Sequence, residues 1–492
     1  MSAPTLGGNV LRSLAGQIAP GLAAVVALPY LLRGLGADGL GVLHVTWAIV
    51  GYFSLLDIGI GRALTQAVAA SLARRDLEGL GSLVFTGCAA LTAVGLAGAL
   101  VFGVSADWMA GSLFGVTGAL RADAVAAFQL VALSVPLVTV SSGARGALEA
   151  QQRFDLVNRV RIPMGVLIYA APAAALPFSR SVAVAAGIAV AVRSCGAVAL
   201  LWLVWRHTPA AAGTWRWSRL AFRALLSSGA WMAAANLIGT VTQFADRIAL
   251  GALVSMSAVA YYSTPLDLIS RLSIISASLT AVMFPVFSAE HATRGARLGG
   301  LALKSAGYTM LSVFPPVLVV VAFAPELLTR WMGADFARAS VAATRLIAIG
   351  TLANALAQTP FALLQAMGRA RATARIAAIE LPLYIVLLWA ATTAWGITGV
   401  AVAWAMRMTV DAATHFVLAG AGLTGATVPT RAFVATCAAA TASLIAVALI
   451  SDPWLRGAAV LAALALCAWP LGHVVDAREL LNRGHALVTR AR

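Results

Sequence analysis

The stretch from Gly36 to Asp76, GADGLGVLHVTWAIVGYFSLLDIGIGRALTQAVAASLARRD, states a membrane crossing with a direction. It opens in a glycine-rich turn and runs apolar for about one bilayer thickness. It ends in Arg74 and Arg75, the basic flank expected on the cytoplasmic side. Within the apolar part stand Asp57 and Arg62. Charges at that depth are costly unless they face protein or water, so an intramembrane acid and base form a functional hypothesis.

The rest of the chain has the same character. Across 492 residues, 61% are hydrophobic and 11% charged, more apolar surface than a soluble domain can bury. The chain therefore reads as a polytopic membrane protein. A formal charge of +16 would suggest nucleic acid in a soluble protein, but here the bases fall in short segments between apolar runs, and no nucleic-acid partner is expected. Cys88, Cys195, Cys437 and Cys467 lie inside apolar runs, with no CxxC spacing and no neighbouring His. That pattern indicates neither a metal site nor a disulfide framework. Arg12 precedes a first apolar run without a small-residue cleavage site, so the run reads as a retained helix rather than a signal peptide, in a cytoplasmic membrane of bacterial type.

Apolar runs of roughly twenty residues predict about fourteen transmembrane helices. They fall near residues 14–32, 41–68, 83–104, 125–148, 162–178, 182–205, 225–253, 259–287, 305–328, 341–367, 376–395, 399–420, 432–450 and 457–475. With the N-terminus inside, Arg153, Arg159, Arg161, Arg216, Arg219, Arg223, Arg369, Arg371, Arg375 and the arginines after Val475 join Arg74 and Arg75 on the inner side. The outer side holds only Arg33, Arg121, Arg180, Arg330, Arg338 and Arg456. This asymmetry puts both termini in the cytoplasm.

Two stretches repeat. ALEAQQRFDLVNRVRI (Ala147 to Ile162) lies over LLQAMGRARATARIAA (Leu363 to Ala378), matching Ala150 with Ala366, Arg153 with Arg369 and Arg159 with Arg375. Equal orientation of the matched segments predicts a parallel repeat: an all-α fold with two lobes of about six helices each and two added C-terminal helices. The division is then residues 1–205, N-terminal lobe; 206–224, cytoplasmic interfacial linker; 225–420, C-terminal lobe; and 421–492, the last two helices and a cytoplasmic tail. Two arginine-rich inner loops could also look alike through topology alone. In the linker, TWRWSRLAFR (Thr214 to Arg223) spaces its arginines helically and suggests a short helix lying on the cytoplasmic leaflet, with an irregular tether as the alternative.

The pattern G-x-x-x-x-G from Gly36 to Gly41, the apolar run after it and LLDIGIGRAL (Leu55 to Leu64), with Pro29-Tyr30-Leu31-Leu32 upstream, resembles the polysaccharide flippases of the multidrug, oligosaccharidyl-lipid and polysaccharide exporter superfamily. The resemblance is best over Pro29 to Ala69 and Ala230 to Ser288. It implies a flippase that moves an undecaprenyl-diphosphate-linked oligosaccharide to the outer leaflet by alternating access, for surface polysaccharide such as O-antigen or exopolysaccharide. It also implies a bacterial inner-membrane location. The implied partners are the lipid-linked oligosaccharide, membrane lipids and, during assembly, a polysaccharide polymerase and a chain-length regulator. No cofactor is implied, and a proton or sodium ion as coupling ion stays open.

The bases within spans are Arg62, Arg145, Arg193, Arg247, Arg271, Arg345 and Arg407; the acids are Asp57, Glu149, Asp246, Asp267, Glu380 and Asp411. Arg145 with Glu149, Asp267 with Arg271, and Arg407 with Asp411 are spaced i, i+4 and can neutralise each other along a helix face. Arg145, Glu149 and Arg345 lie near span ends, where snorkelling accounts for them. By the resemblance, helices one, two, seven and eight line a central cavity. That makes Arg62, Arg247 and Arg271 candidate diphosphate contacts, because guanidinium offers fixed bidentate donors. Arg193 and Arg407 are further binding candidates, and Asp57, Asp246, Asp267 and Asp411 are coupling or positioning candidates. All could instead merely pair helices together. Gly16, Pro20, Gly21, Pro29, Pro265, Pro285 and the Pro315-Pro316 pair are points where helices can bend.

The sequence is also compatible with two other functions. One is a cation-coupled multidrug exporter of the same superfamily. The other is a membrane glycosyltransferase, polymerase or ligase, which needs a substantial outer loop; the longest here, about residues 105–124, holds no His and no paired carboxylates. No Ser-His-Asp, metal or nucleotide-binding arrangement occurs, so the chain reads as a transporter without catalytic residues and not as an enzyme.

Overall fold

The computed structural model describes residues 6–55, 59–74, 78–208, 215–293, 297–423 and 430–472. Asp57 lies outside them, as do Arg75, Thr214 and Arg294. Apolar runs that cannot pass their backbone groups to water must bond internally, and among the described residues every regular element is helical. The helices are α1 (Leu6–Leu55), α2 (Ile60–Ala73), α3 (Leu80–Trp108), α4 (Ala119–Ala150), α5 (Phe154–Ala175), α6 (Val182–His207), α7 (Arg219–Leu253), α8 (Met256–Ile269), α9 (Ser273–Ala292), α10 (Leu298–Met332), α11 (Ala334–Ala366), α12 (Ala370–Leu423), α13 (Thr430–Leu449) and α14 (Pro453–Gly472).

Among the described residues, eight helical segments are long and apolar enough to cross a membrane: Ile18–Phe53, Leu80–Leu113, Ala119–Ala150, Val182–His207, Met256–Ala292, Leu298–Met332, Ala334–Ala366 and Ala370–Gly420. Phe433–Leu449 and Pro453–Cys467 are shorter apolar helices. The chain is thus a multi-pass membrane protein. It forms two compact units: Met1–Thr264 with Ile385–Val400, and Pro265–Tyr384 with Ala401–Arg492.

The stretch quoted first shows why its glycines stand where they do. Gly36 has φ 73 and ψ 174, and it breaks α1 into two limbs. Just beyond the break, the Asp38 carboxylate accepts the Ser257 N–H at 2.9 Å and so satisfies an orphan donor in the first turn of α8. Gly41 then passes so close to Met256 that a Cβ would stand 1.8 Å from its carbonyl oxygen. The motif is therefore a packing device within the first unit. It breaks a helix, caps a second one, and lets the two backbones touch.

The repeated stretches fold into the same turn. α4 ends in a Schellman motif: Arg153 N–H donates to Leu148 O at 2.9 Å and Gln152 N–H to Glu149 O at 2.9 Å. α11 ends identically, with Arg369 N–H on Leu364 O at 2.9 Å and Gly368 N–H on Gln365 O at 3.0 Å. Gly368 takes the left-handed position with φ 73, whereas Gln152 takes it with φ 59, alone among the described non-glycine residues. A side chain there is strained. Gln152→Gly is expected to stabilise the protein by about 1 kcal/mol, read as a higher melting temperature in detergent; an unchanged or lower value contradicts this.

Asp155 follows in the first turn of α5. Partial burial would raise its pKa, but the Arg153 guanidinium at 3.3 Å, the Leu156 amide and Arg159 outweigh burial and hold it below the usual carboxylate range. It stays ionised at a helix N-terminus, where negative charge is favoured.

Three expectations need correction. The outer loop read over residues 105–124 is mostly helix: α3 continues through a π-helical turn at Met109–Leu113, and α4 starts at Ala119. The segment read as an interfacial helix is not a separate helix; Trp215 to Ser218 is irregular, and Arg219 to Arg223 forms the start of α7, with the Ser218 hydroxyl accepting from Ala221 N–H at 3.2 Å. Arg345 does not rely on snorkelling alone. Pro325 has no N–H for the Val321 carbonyl, α10 bends at Phe323 (φ −106, ψ 18), and Arg345 Nε donates to that carbonyl at 3.0 Å.

Candidate functional site

In the first unit α4, α5 and α6 leave a cavity of about 70 Å3 lined by Arg145, Arg161, Arg193, Ser141, Met164 and neighbouring apolar side chains. Arg193 projects from the middle of α6, and its Nε is buried with no hydrogen-bond partner among the described residues. Arg145 keeps the ion pair its spacing predicted, with Nε 3.8 Å from Glu149 Oε1. The cavity thus gathers three guanidinium groups against one nearby carboxylate, and its chemistry suits an anion with several oxygens. Arg161, read from the sequence only as a topology-setting loop base, was missed as a lining residue because its partners lie on other helices.

The other predicted residues are scattered over both units. Asp57 lies outside the described residues. Arg62 is exposed on α2. Asp246 and Arg247 are buried on α7, at 1% and 8% exposure, with Arg247 N–H donating to Asp246 Oδ1 at 2.8 Å and the guanidinium 5.7 Å from the Phe244 ring centre. In the second unit Asp267 is half-buried on α8 and Arg271 half-buried in the 3-10 turn Ser270–Leu272 that follows it. That change of helix type comes shortly after Pro265, one of the predicted bend points.

A second cluster lies wholly in the second unit and was only half visible in the sequence. α12 breaks at Gly396 (φ 55, ψ −128), and its two limbs carry Glu380 and Tyr384 on the first and Arg407, Asp411 and His415 on the second. Arg407 does not close the predicted ion pair with Asp411: it stacks on Tyr384 at 5.2 Å from the ring centre. Asp411 instead faces His415, with Oδ1 3.3 Å from Nδ1. The same Nδ1 lies 2.8 Å from the Asp411 carbonyl oxygen, and Glu380 has Asp411, Arg407 and His415 as its charged neighbours. The missed signal was periodicity, since Arg407, Asp411 and His415 continue one i, i+4 stripe.

Comparison with known proteins decides the family. The family described as polysaccharide biosynthesis protein matches residues 6–291, more than half of the chain. The chain belongs to this family. A Shigella flexneri protein named "Putative O-antigen transporter" is 27% identical over 404 residues, covering 82% of this polysaccharide biosynthesis protein and 95% of the relative. Among solved structures, the lipid II flippase MurJ in an inward closed conformation aligns with TM-score 0.74 at 12% identity, covering 96% of this chain and 100% of that one. An inward-facing multidrug resistance MATE family transporter of the MOP superfamily aligns with TM-score 0.69 at 15% identity, over 84% and 98%. At such identities the likeness establishes a shared fold for this family member and nothing finer.

Proposed function

We propose that this polysaccharide biosynthesis protein is a flippase that carries a polyprenyl-diphosphate-linked oligosaccharide across the bacterial inner membrane for surface polysaccharide assembly. The family match over residues 6–291 carries the reading, and the relative named as an O-antigen transporter agrees with it. The arrangement we infer is fourteen spans with both termini inside, two six-helix lobes, residues 1–205 and 225–420, and an added pair in 421–492. Support comes from the one-sided arginines and from the matching turns after α4 and α11. The chain works without an enzymatic step, and a polymerase and a chain-length regulator act with it.

Within this reading the diphosphate meets arginine. Arg193, backed by Arg145 and Arg161, is the contact best supported by geometry, because a buried Nε donor without a partner gains most from an anionic oxygen. Arg62 and Arg247 in the first unit and Arg271 in the second are further candidate diphosphate contacts, each taken by itself, with Asp57, Asp246 and Asp267 as candidate positioning groups. Arg407 serves the acid cluster instead. In a strain lacking this protein, surface polysaccharide is expected to be lost and to return with wild type. Arg193→Ala, present at normal abundance by immunoblot, is expected to restore less than about a tenth of it, the scale of losing one charge-assisted bond. Unchanged polysaccharide together with a new sensitivity to cationic drugs would replace this reading with drug export.

A further inference from the structure

We propose that Glu380 and Asp411, on the two limbs of α12, share a single exchangeable proton, with His415 as adjoining base and Arg407 as fixed counter-charge, and that loading this site drives transport. The coupling half rests on the function proposed above; the proton site stands without it.

Glu380 and Asp411 lie almost equally far from the break at Gly396, so antiparallel limbs bring them to one level. Both Glu380 oxygens are buried and receive no donor from the described residues, although the Asp411 carboxylate is within hydrogen-bonding reach. Two carboxylates bond to each other only when one of them carries a proton.

Charge counting gives the same number. Arg407 offsets one carboxylate, and with the His415 ring neutral the second is left uncompensated at membrane depth, where net charge is expensive. One proton makes the cluster neutral. Binding and release form and break only a carboxyl O–H bond, with water as source and acceptor. Asp411 keeps 21% of its side-chain surface exposed, against 5% for His415, so Asp411 is the more accessible of the two. His415 Nδ1–H donates to the Asp411 carbonyl, which in the neutral ring leaves Nε2 as the bare nitrogen; it is buried and without a partner among the described residues. It is a base held one helical turn from the acid pair.

The surroundings fit a proton better than a metal ion. The groups facing Glu380 are Arg407, Asp411 and His415 from the opposite limb, with Tyr384 on its own limb, while α11 presents the apolar Phe361 ring to His415 at 5.6 Å. Among the described residues no group of three His, Cys, Asp or Glu side chains is arranged to hold a metal. A hard cation also requires several more oxygens than this pair offers, and Arg407 stands beside it.

The test is infrared difference spectroscopy of the full protein in lipid across its stable pH range. Wild type is expected to show the C=O stretch of a protonated carboxylic acid that titrates, and both Glu380→Gln and Asp411→Asn to lose it. The new amide in either variant can donate to the remaining carboxylate, and unchanged melting temperatures show that both are folded. No titrating band in wild type, or an unaltered band in both variants, overturns the site. So does a band removed at constant pH by sodium chloride but not by potassium chloride. In proteoliposomes with fluorescent undecaprenyl-diphosphate N-acetylglucosamine as probe, a pH gradient is expected to speed wild type and leave Glu380→Gln unaccelerated. Equal wild-type rates with and without the gradient overturn the coupling. No translocation at all overturns the flippase function and leaves the infrared result standing.

Discussion

Gly41→Ala is expected to remove most of the folded protein from the membrane. The added Cβ would sit 1.8 Å from the Met256 carbonyl oxygen and 2.5 Å from its carbon. Backbone atoms cannot rotate aside as a side chain can, so the second limb of α1 must move off the start of α8. That movement also stretches the bond between Asp38 and the Ser257 N–H. Overpacking of this kind costs about 3 kcal/mol, a large fraction of the stability of most folds. Gly39→Ala is the milder comparison, because its Cβ would meet the Leu35 Cβ and a Val182 methyl, each at 3.0 Å, contacts that shifts of a few tenths of an ångström relieve. Membrane abundance and melting temperature in detergent are expected to fall sharply for Gly41→Ala and only slightly for Gly39→Ala. Equal values for the two would show that the close approach does not matter.

Arg456→Ala is expected to release α14 from α10. Arg456 is 5% exposed and makes bonds that no other side chain can replace together: Glu326 at 2.7 and 3.0 Å, and the carbonyls of Ala322 at 2.9 Å, Ile450 at 3.0 Å and Ser451 at 2.9 Å. The Ala322 carbonyl lies at the bend forced by Pro325, where the regular ladder is interrupted. Truncation strands Glu326 and these carbonyls at once. Removing one partner of a buried pair costs about 3–5 kcal/mol, and the part-exposed Glu326 brings the expectation to about 3 kcal/mol. Arg456→Lys keeps the charge but loses the planar fork, so it is expected to fall between alanine and wild type. Protease protection of α14 in membranes reads the effect; wild-type protection in Arg456→Ala would contradict it.

Some of this was legible in the chain and some was not, for a consistent reason. Apolar runs and glycine-rich breaks are local, so the all-helical multi-pass fold and the motif at Gly36 to Gly41 could be read directly, and the repeated letters marked the two stretches whose turns after α4 and α11 match. Partners across helices could not. Arg456 read as an outer loop base and Arg345 as a snorkelling one, yet both serve carbonyls exposed by a proline-linked bend in a different helix. Arg407 and Asp411 matched a helix-face ion pair, but the break at Gly396 brought Glu380, Tyr384 and His415 beside them and divided the pair. A single letter such as His415 carries no hydropathy signal, and only the i, i+4 stripe could have marked it.

Translocation by the purified protein tests the flippase function without help from any other component. Liposomes would hold the protein alone, with fluorescent undecaprenyl-diphosphate N-acetylglucosamine and a membrane-impermeant quencher added outside. Wild type is expected to expose the inner-leaflet probe to the quencher, Arg193→Ala to do so far more slowly, and a fluorescent phospholipid to stay in place. Wild-type vesicles that behave like protein-free ones, or that move the phospholipid equally well, would contradict the flippase function.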